Sequence, residues 1–85
     1  MPNKQLLKHV VQGAIGTTKA FNGLAAVYQE PDGTYKWQYV RAPFTARLVC
    51  VILNGKLKEV AATATAEEAE IINAVIQIEG ENTNG

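Results

Sequence analysis

The densest chemistry in the chain lies in Tyr35-Lys36-Trp37-Gln38-Tyr39-Val40-Arg41, where three rings recur at every second residue among cations. Alternate side chains of an extended strand share a face, so Tyr35, Trp37 and Tyr39 form one aromatic ridge. Single-stranded nucleic acid binds such ridges by stacking its bases on the rings while cations follow its backbone. Arg47 follows close behind, and the candidate binding set is therefore Tyr35, Lys36, Trp37, Tyr39, Arg41 and Arg47. The competing reading is packing, because Trp and Tyr on one strand face commonly fill a core or a subunit seam. The cations alternate with apolar residues and no RNP1, KH or zinc-finger pattern accompanies them, which favours packing.

Other chemistry fails on counting or context. A single His and a single Cys, His9 and Cys50, cannot supply a zinc set, and no Asp-rich loop suggests calcium. No metal or cofactor is expected. Cys50 sits in the middle of LVCVIL, where a buried, inert thiol is the common outcome, and His9, on a helix beside Lys8, reads as a solvated or half-buried side chain rather than a general base. Gly13-Ala-Ile-Gly16-Thr17-Thr18-Lys19 holds the ingredients of a phosphate loop in the wrong order. Glu67, Glu68 and Glu70 resemble an acid set, yet the start of a helix explains them through its dipole. No catalytic residue is expected, and the chain reads as a non-enzyme.

The elements that must position these residues follow from turn chemistry and periodicity. LAAVYQE and TYKWQYVR flank Pro31-Asp32-Gly33, a type I turn with a glycine bulge. The implied register sets Gln29 opposite Tyr35, Val27 opposite Trp37 and Ala25 opposite Tyr39 on one face. The other face carries Tyr28/Lys36, Ala26/Gln38 and Leu24/Val40. A second hairpin joins RLVCVIL to KLKEVAATAT through Asn54-Gly55. Its first strand is apolar on both faces, the mark of an interior strand, and its second breaks phase at Glu59-Val60, which predicts a bulge.

Leu6, Leu7, Val10, Val11, Ala14 and Ile15 make a helical stripe over residues 3–15, with Asn3 as N-cap and Gly13 and Gly16 as stops. Asn22-Gly23 is a hairpin signal, which makes residues 17–21 a candidate fifth strand. Thr65 and Glu68 form a capping box before the stripe Ala69, Ile72, Val75, Ile76, and Gly80 predicts that this helix ends at about residue 78. The expected fold class is α+β: a four-stranded antiparallel meander, five-stranded if 17–21 pairs, with an N-terminal and a C-terminal helix. Residues 1–80 form one domain and 81–85 a frayed tail.

Composition bounds the rest. The chain has 85 residues, 47% of them apolar, and 12 of those 40 are Ala, leaving 28 larger side chains for a core. A domain this small is marginal on burial alone, so a partner subunit is an expected stabiliser. The lone Cys excludes an intrachain disulfide and fits a reducing, cytoplasmic setting. The longest apolar run, Leu48–Leu53, is far short of a membrane span, and MPNKQLLKHVVQG lacks the apolar core of a signal peptide.

The net charge of zero hides a division. Through residue 58 eight cations face two acids, and from Glu59 onward six acids face no cation. The expected function is a small non-enzymatic protein-interaction module that binds or inhibits a protein partner. It is expected to form a homodimer in which each basic sheet meets its mate's acidic helix. The alternative is single-stranded nucleic-acid binding through the basic, aromatic hairpin.

Overall fold

Two tight turns, each with a glycine in the left-handed region, set the sheet. The computed structural model describes residues 3–82 and comprises α1 (Lys4–Phe21), β1 (Leu24–Gln29), β2 (Tyr35–Tyr39), β3 (Arg47–Leu53), β4 (Lys56–Val60) and α2 (Ala66–Asn82). Gly33 has φ +93° and lets Glu30 N–H donate to the Thr34 carbonyl at 2.8 Å. The β1–β2 register is the expected one, from Gln29↔Tyr35 to Ala25↔Tyr39. Asn54 and Gly55 both have positive φ, as a type I′ hairpin requires. In the β3–β4 ladder the register shifts so that Lys58 is the extra residue, one position before the expected phase break.

The α+β class, the four antiparallel strands in one sheet and the helix at each end are as expected. The strand order is β2-β1-β3-β4, which differs from the sequential order of a meander. β3 joins β1, from Leu24↔Leu53 to Gln29↔Arg47, with a bulge at Val49 that puts both Val49 and Cys50 in the core. Side-chain chemistry explains the choice. Strands β1 and β3 are apolar on both faces and suit the interior, whereas β2 carries Lys36 and Gln38 and suits an edge.

This order forces a crossing. β2 and β3 are both antiparallel to β1, so residues 40–46 must carry the chain from one side of β1 to the other. Tyr39 lies beside Ala25 and Arg47 beside Gln29, so the connection steps about 10 Å across and returns about 13 Å along β1. That span of about 17 Å fits the reach of about 23 Å for that many extended residues. Leu7, Val11, Ala14 and Ile15 of α1 and Ile72 and Val75 of α2 pack with Ala25, Val27, Tyr35, Cys50 and Ile52 on one face. The connection therefore straps the other face, where Ala26 and Tyr28 are buried with no helix above them. Val40, at the entry to the strap, has φ +75°, which costs a β-branched residue about 1–3 kcal/mol.

Both helices are longer than their sequence signals. Helix α1 passes Gly13 and Gly16 and runs to Phe21, so residues 17–21 are helical and supply no fifth strand. Each interior glycine costs only about 1 kcal/mol, and the stripe continues to the buried Thr18. Asn22-Gly23 stops the helix instead of turning a hairpin: Asn22 adopts φ 55°, ψ 44°, and Gly23 N–H donates to the Thr18 carbonyl at 2.9 Å. Both uses need the same left-handed conformation, which is why the dipeptide misleads. Helix α2 likewise continues past Gly80 to Asn82, so the expected tail is helical at its start, and 83–85 lie outside the described residues. Among the described residues no helix is long and apolar enough to cross a membrane.

Candidate functional site

At the end of the sheet where both helices begin, Glu68 gathers a polar cluster. Its backbone N–H donates to Thr65 Oγ1 at 3.1 Å, and its Oε1 accepts from Thr65 N–H at 2.9 Å, completing the expected capping box. Arg47 donates to Oε1 at 2.9 Å and to Oε2 at 2.7 Å, and the Tyr35 hydroxyl donates to Oε2 at 2.5 Å. Arg47 also donates to Gln29 Oε1 and, at 2.9 Å, to the Thr63 carbonyl. Glu68 is only 1% exposed.

Burial alone would raise the Glu68 pKa. The hydrogen bonds from Arg47, Tyr35 and Thr65, with the charge of Arg47, outweigh it and hold the carboxyl at about 2. Burial, then the hydrogen bond and charge of Glu68, push the Tyr35 phenol well above its usual range. The bond to Glu68 raises Arg47 further. Each carboxylate oxygen of Glu68 thus has two donors from its own chain.

The ridge expected from sequence is divided by this arrangement. Tyr35 is buried in the Glu68 cluster together with Arg47. Trp37 is half-buried, close enough to α1 that a Cβ at Gly13 would lie 3.5 Å from the indole nitrogen. Tyr39 is exposed and meets Trp37 edge-on, ring centroids 5.3 Å apart. Lys36 lies on the strapped face opposite Tyr28, and Arg41 lies on the strap itself. The six candidates therefore occupy different environments. His9 is exposed on α1, whereas Cys50 is fully buried and its thiol is pushed up to about 12 by burial and by the charge of Glu68. Among the described residues no group of three or more His, Cys, Asp or Glu is placed to hold a metal ion.

A second locus forms where α1 turns into β1. Phe21 (75% exposed), Val40 (66%), Tyr39 and Leu53 all present apolar surface there. The backbone draws them together: Val40 N–H donates to the Leu24 carbonyl at 2.9 Å, and Leu24 pairs with Leu53. Asn54 N–H donates to the Gly23 carbonyl at 2.8 Å, and Gly23 lies against the Tyr39 ring. Three cations adjoin this end: Lys19 packs over Gly55, Lys56 sits opposite Leu53, and Arg41 follows Val40. Phe44, on the strap, is fully exposed. Sequence reasoning did not assemble this locus, because it depends on α1 reaching Phe21 and on β1 pairing with β3.

Comparison with models of known protein families, with curated proteins and with solved structures finds no match to the chain.

Proposed function

We propose that the protein is a small non-enzymatic interaction module that binds a protein partner through the apolar end of its sheet. One observation carries this reading: Val40 and Leu53 flank Leu24 on one face at the end of the sheet, Tyr39 lies exposed on the other face at that end, and Phe21 is exposed in the last turn of α1 beside it. Single exposed apolar side chains are ordinary, whereas several gathered at one end of a sheet and bordered by cations suit an interaction surface that wraps that end. Lys19, Arg41 and Lys56 at its margin suit a partner with an apolar centre and carboxylates around it. Blocking a partner's own acidic surface, and so inhibiting it, is one use of such a module.

Nucleic-acid binding by the aromatic ridge receives less support, since Tyr35 is sealed in the core and Lys36 lies on the opposite face from the rings. The test uses a photoreactive residue at position 40 or 53, with position 36 as control, followed by titration of the purified cross-linked partner. Cross-linking from 40 and 53 but not from 36, and a loss of affinity of about tenfold or more for Leu53→Asp, is the expected result. Equal labelling from all three positions would remove the basis for the surface.

A further inference from the structure

The charge division of the chain falls inside the helix layer. Helix α1 carries Lys4, Lys8 and Lys19 and no acid, whereas α2 carries Glu67, Glu68, Glu70, Glu79 and Glu81 and no cation. The two helices start at the same end of the sheet, where Lys4 Nζ, largely open to solvent, lies 3.6 Å from Oε1 of the half-buried Glu67. Between them runs a groove of about 230 Å³ with Ile71, Ala74, Val75 and Ile78 as its floor and Lys4, Gln5 and Lys8 along its α1 side. Ile78 is 51% exposed and Ala74 is exposed.

Ile71, Ala74 and Ile78 recur at intervals of three and four residues, the spacing that lets one helix seat on another in a coiled-coil seam. Two orientations of a second copy could cover this face with two-fold symmetry. An axis perpendicular to the helices would lay α1 on its mate's α1, cation on cation. An axis along the groove lays α1 on its mate's α2, cation on acid, and brings the two Ile71-Ala74-Ile78 rows together.

We propose that a second copy of this chain docks here, its two-fold axis running along the groove between α1 and α2. Ile71, Ala74 and Ile78 of the two copies meet along the axis, and Lys8 of each faces Glu70 of the other. Helices of this length cover a face about 25 Å long and about 20 Å wide, roughly 500 Å² per copy. That is the size of a weak, reversible interface. A different surface carries this proposal from the one proposed to bind a partner, so the two stand or fall separately.

Sedimentation velocity on the full chain, from a few micromolar to several hundred micromolar, tests it. A concentration-dependent dimer is expected, weakened by salt and lost in Ile78→Asp, whose side chain is exposed enough to leave the fold intact. Lys8→Glu and Glu70→Lys should each weaken the dimer about tenfold, and the double variant should restore it. Ala74→Cys should form a disulfide-linked dimer under mild oxidation, and His9→Cys should not. A single-chain mass throughout, a dimer indifferent to Ile78→Asp, or charge variants that do not compensate would each overturn the proposal. Leu53→Asp separates the two surfaces: it should abolish partner cross-linking and leave the dimer in place. Loss of the dimer in Leu53→Asp would move self-association to the sheet end and overturn the groove.

Discussion

Arg47, the first residue of β3, grips the buried carboxylate of Glu68 in α2 through both terminal nitrogens, at 2.9 and 2.7 Å. This fork ties the second hairpin to the helix that follows it, and Gln29 and Tyr35 extend the tie to the first hairpin. The geometry is the one a guanidinium makes and an ammonium cannot.

Replacing Glu68 by Gln leaves the guanidinium short of its partner in a largely desolvated place. The expected loss is about 2–4 kcal/mol, toward the lower side of a broken buried pair because Arg47 keeps some contact with water. Glu67→Gln, which removes the contact to Lys4 and one charge from the first turn of α2, should cost less than about 1 kcal/mol. Urea unfolding of the two variants measures the contrast, and similar midpoints would refute it.

The same carboxylate predicts how acid acts on the fold. Glu68 ionises at about 2 in the native chain and at an ordinary 4.5 when unfolded, so between those values the unfolded chain binds the extra proton. The stabilisation is complete above about pH 4.5 and is lost as pH falls through 2. Thermal melts from pH 7 to pH 2 should therefore drop most steeply in that window, and Glu68→Gln should flatten the drop.

Tyr35 acts in the opposite direction. Its phenol is held neutral by burial and by Glu68, so its contribution is full below about pH 10 and declines as pH rises above that. Tyr35→Phe removes one donor to Glu68 and is expected to cost about 1–2 kcal/mol at neutral pH. In ultraviolet titration of the folded protein, the change in absorbance up to pH 10 should be the same in Tyr35→Phe as in the unsubstituted chain.

Two glycines separate conformational from packing roles. Gly55 has φ +80°, and a Cβ there would lie 2.8 Å from Lys19 Cβ, so Gly55→Ala is expected to destabilise by about 1–3 kcal/mol. Gly16 lies within α1 with nothing near its missing Cβ, so Gly16→Ala should stabilise by about 0.5–1 kcal/mol. Chemical denaturation reads both signs.

Trp37 reports on the ridge directly. Packed by α1 and by the edge of Tyr39, it should emit at blue-shifted wavelength and resist iodide. A labelled single-stranded oligonucleotide should not alter that emission. A red, readily quenched spectrum that shifts on oligonucleotide addition would instead revive nucleic-acid binding.

Local rules carried much of this structure. Pro31-Asp32-Gly33 and Asn54-Gly55 announced the hairpins, and the spacing between turn and rings gave the β1–β2 register residue by residue. Thr65 and Glu68 announced the start of α2. What local rules could not supply was which hairpin edges meet. The pairing of Gln29 with Arg47 is set by strands on opposite sides of a long connection, and without it Glu68 looks like an ordinary helix-start acid. The length of α1 escaped for a related reason: two glycines read as a stop until the burial of Thr18 beneath the second turn is known, where its hydroxyl accepts from Gly55 N–H at 2.9 Å.

The strap at residues 40–46 also divides the covalent chain into two pieces of similar make. Before it lie α1, β1 and β2, and after it lie β3, β4 and α2, each a helix with a hairpin. The β1–β3 ladder, the packing of α1 on α2 and β3, and the hydrogen bonds from Tyr35 to Glu68 and from Arg47 to Gln29 hold those pieces together, and the strap is their covalent connection. A protease cut beside the fully exposed Phe44 is therefore expected to leave two fragments with complementary surfaces, which the uncut strap holds at high effective concentration.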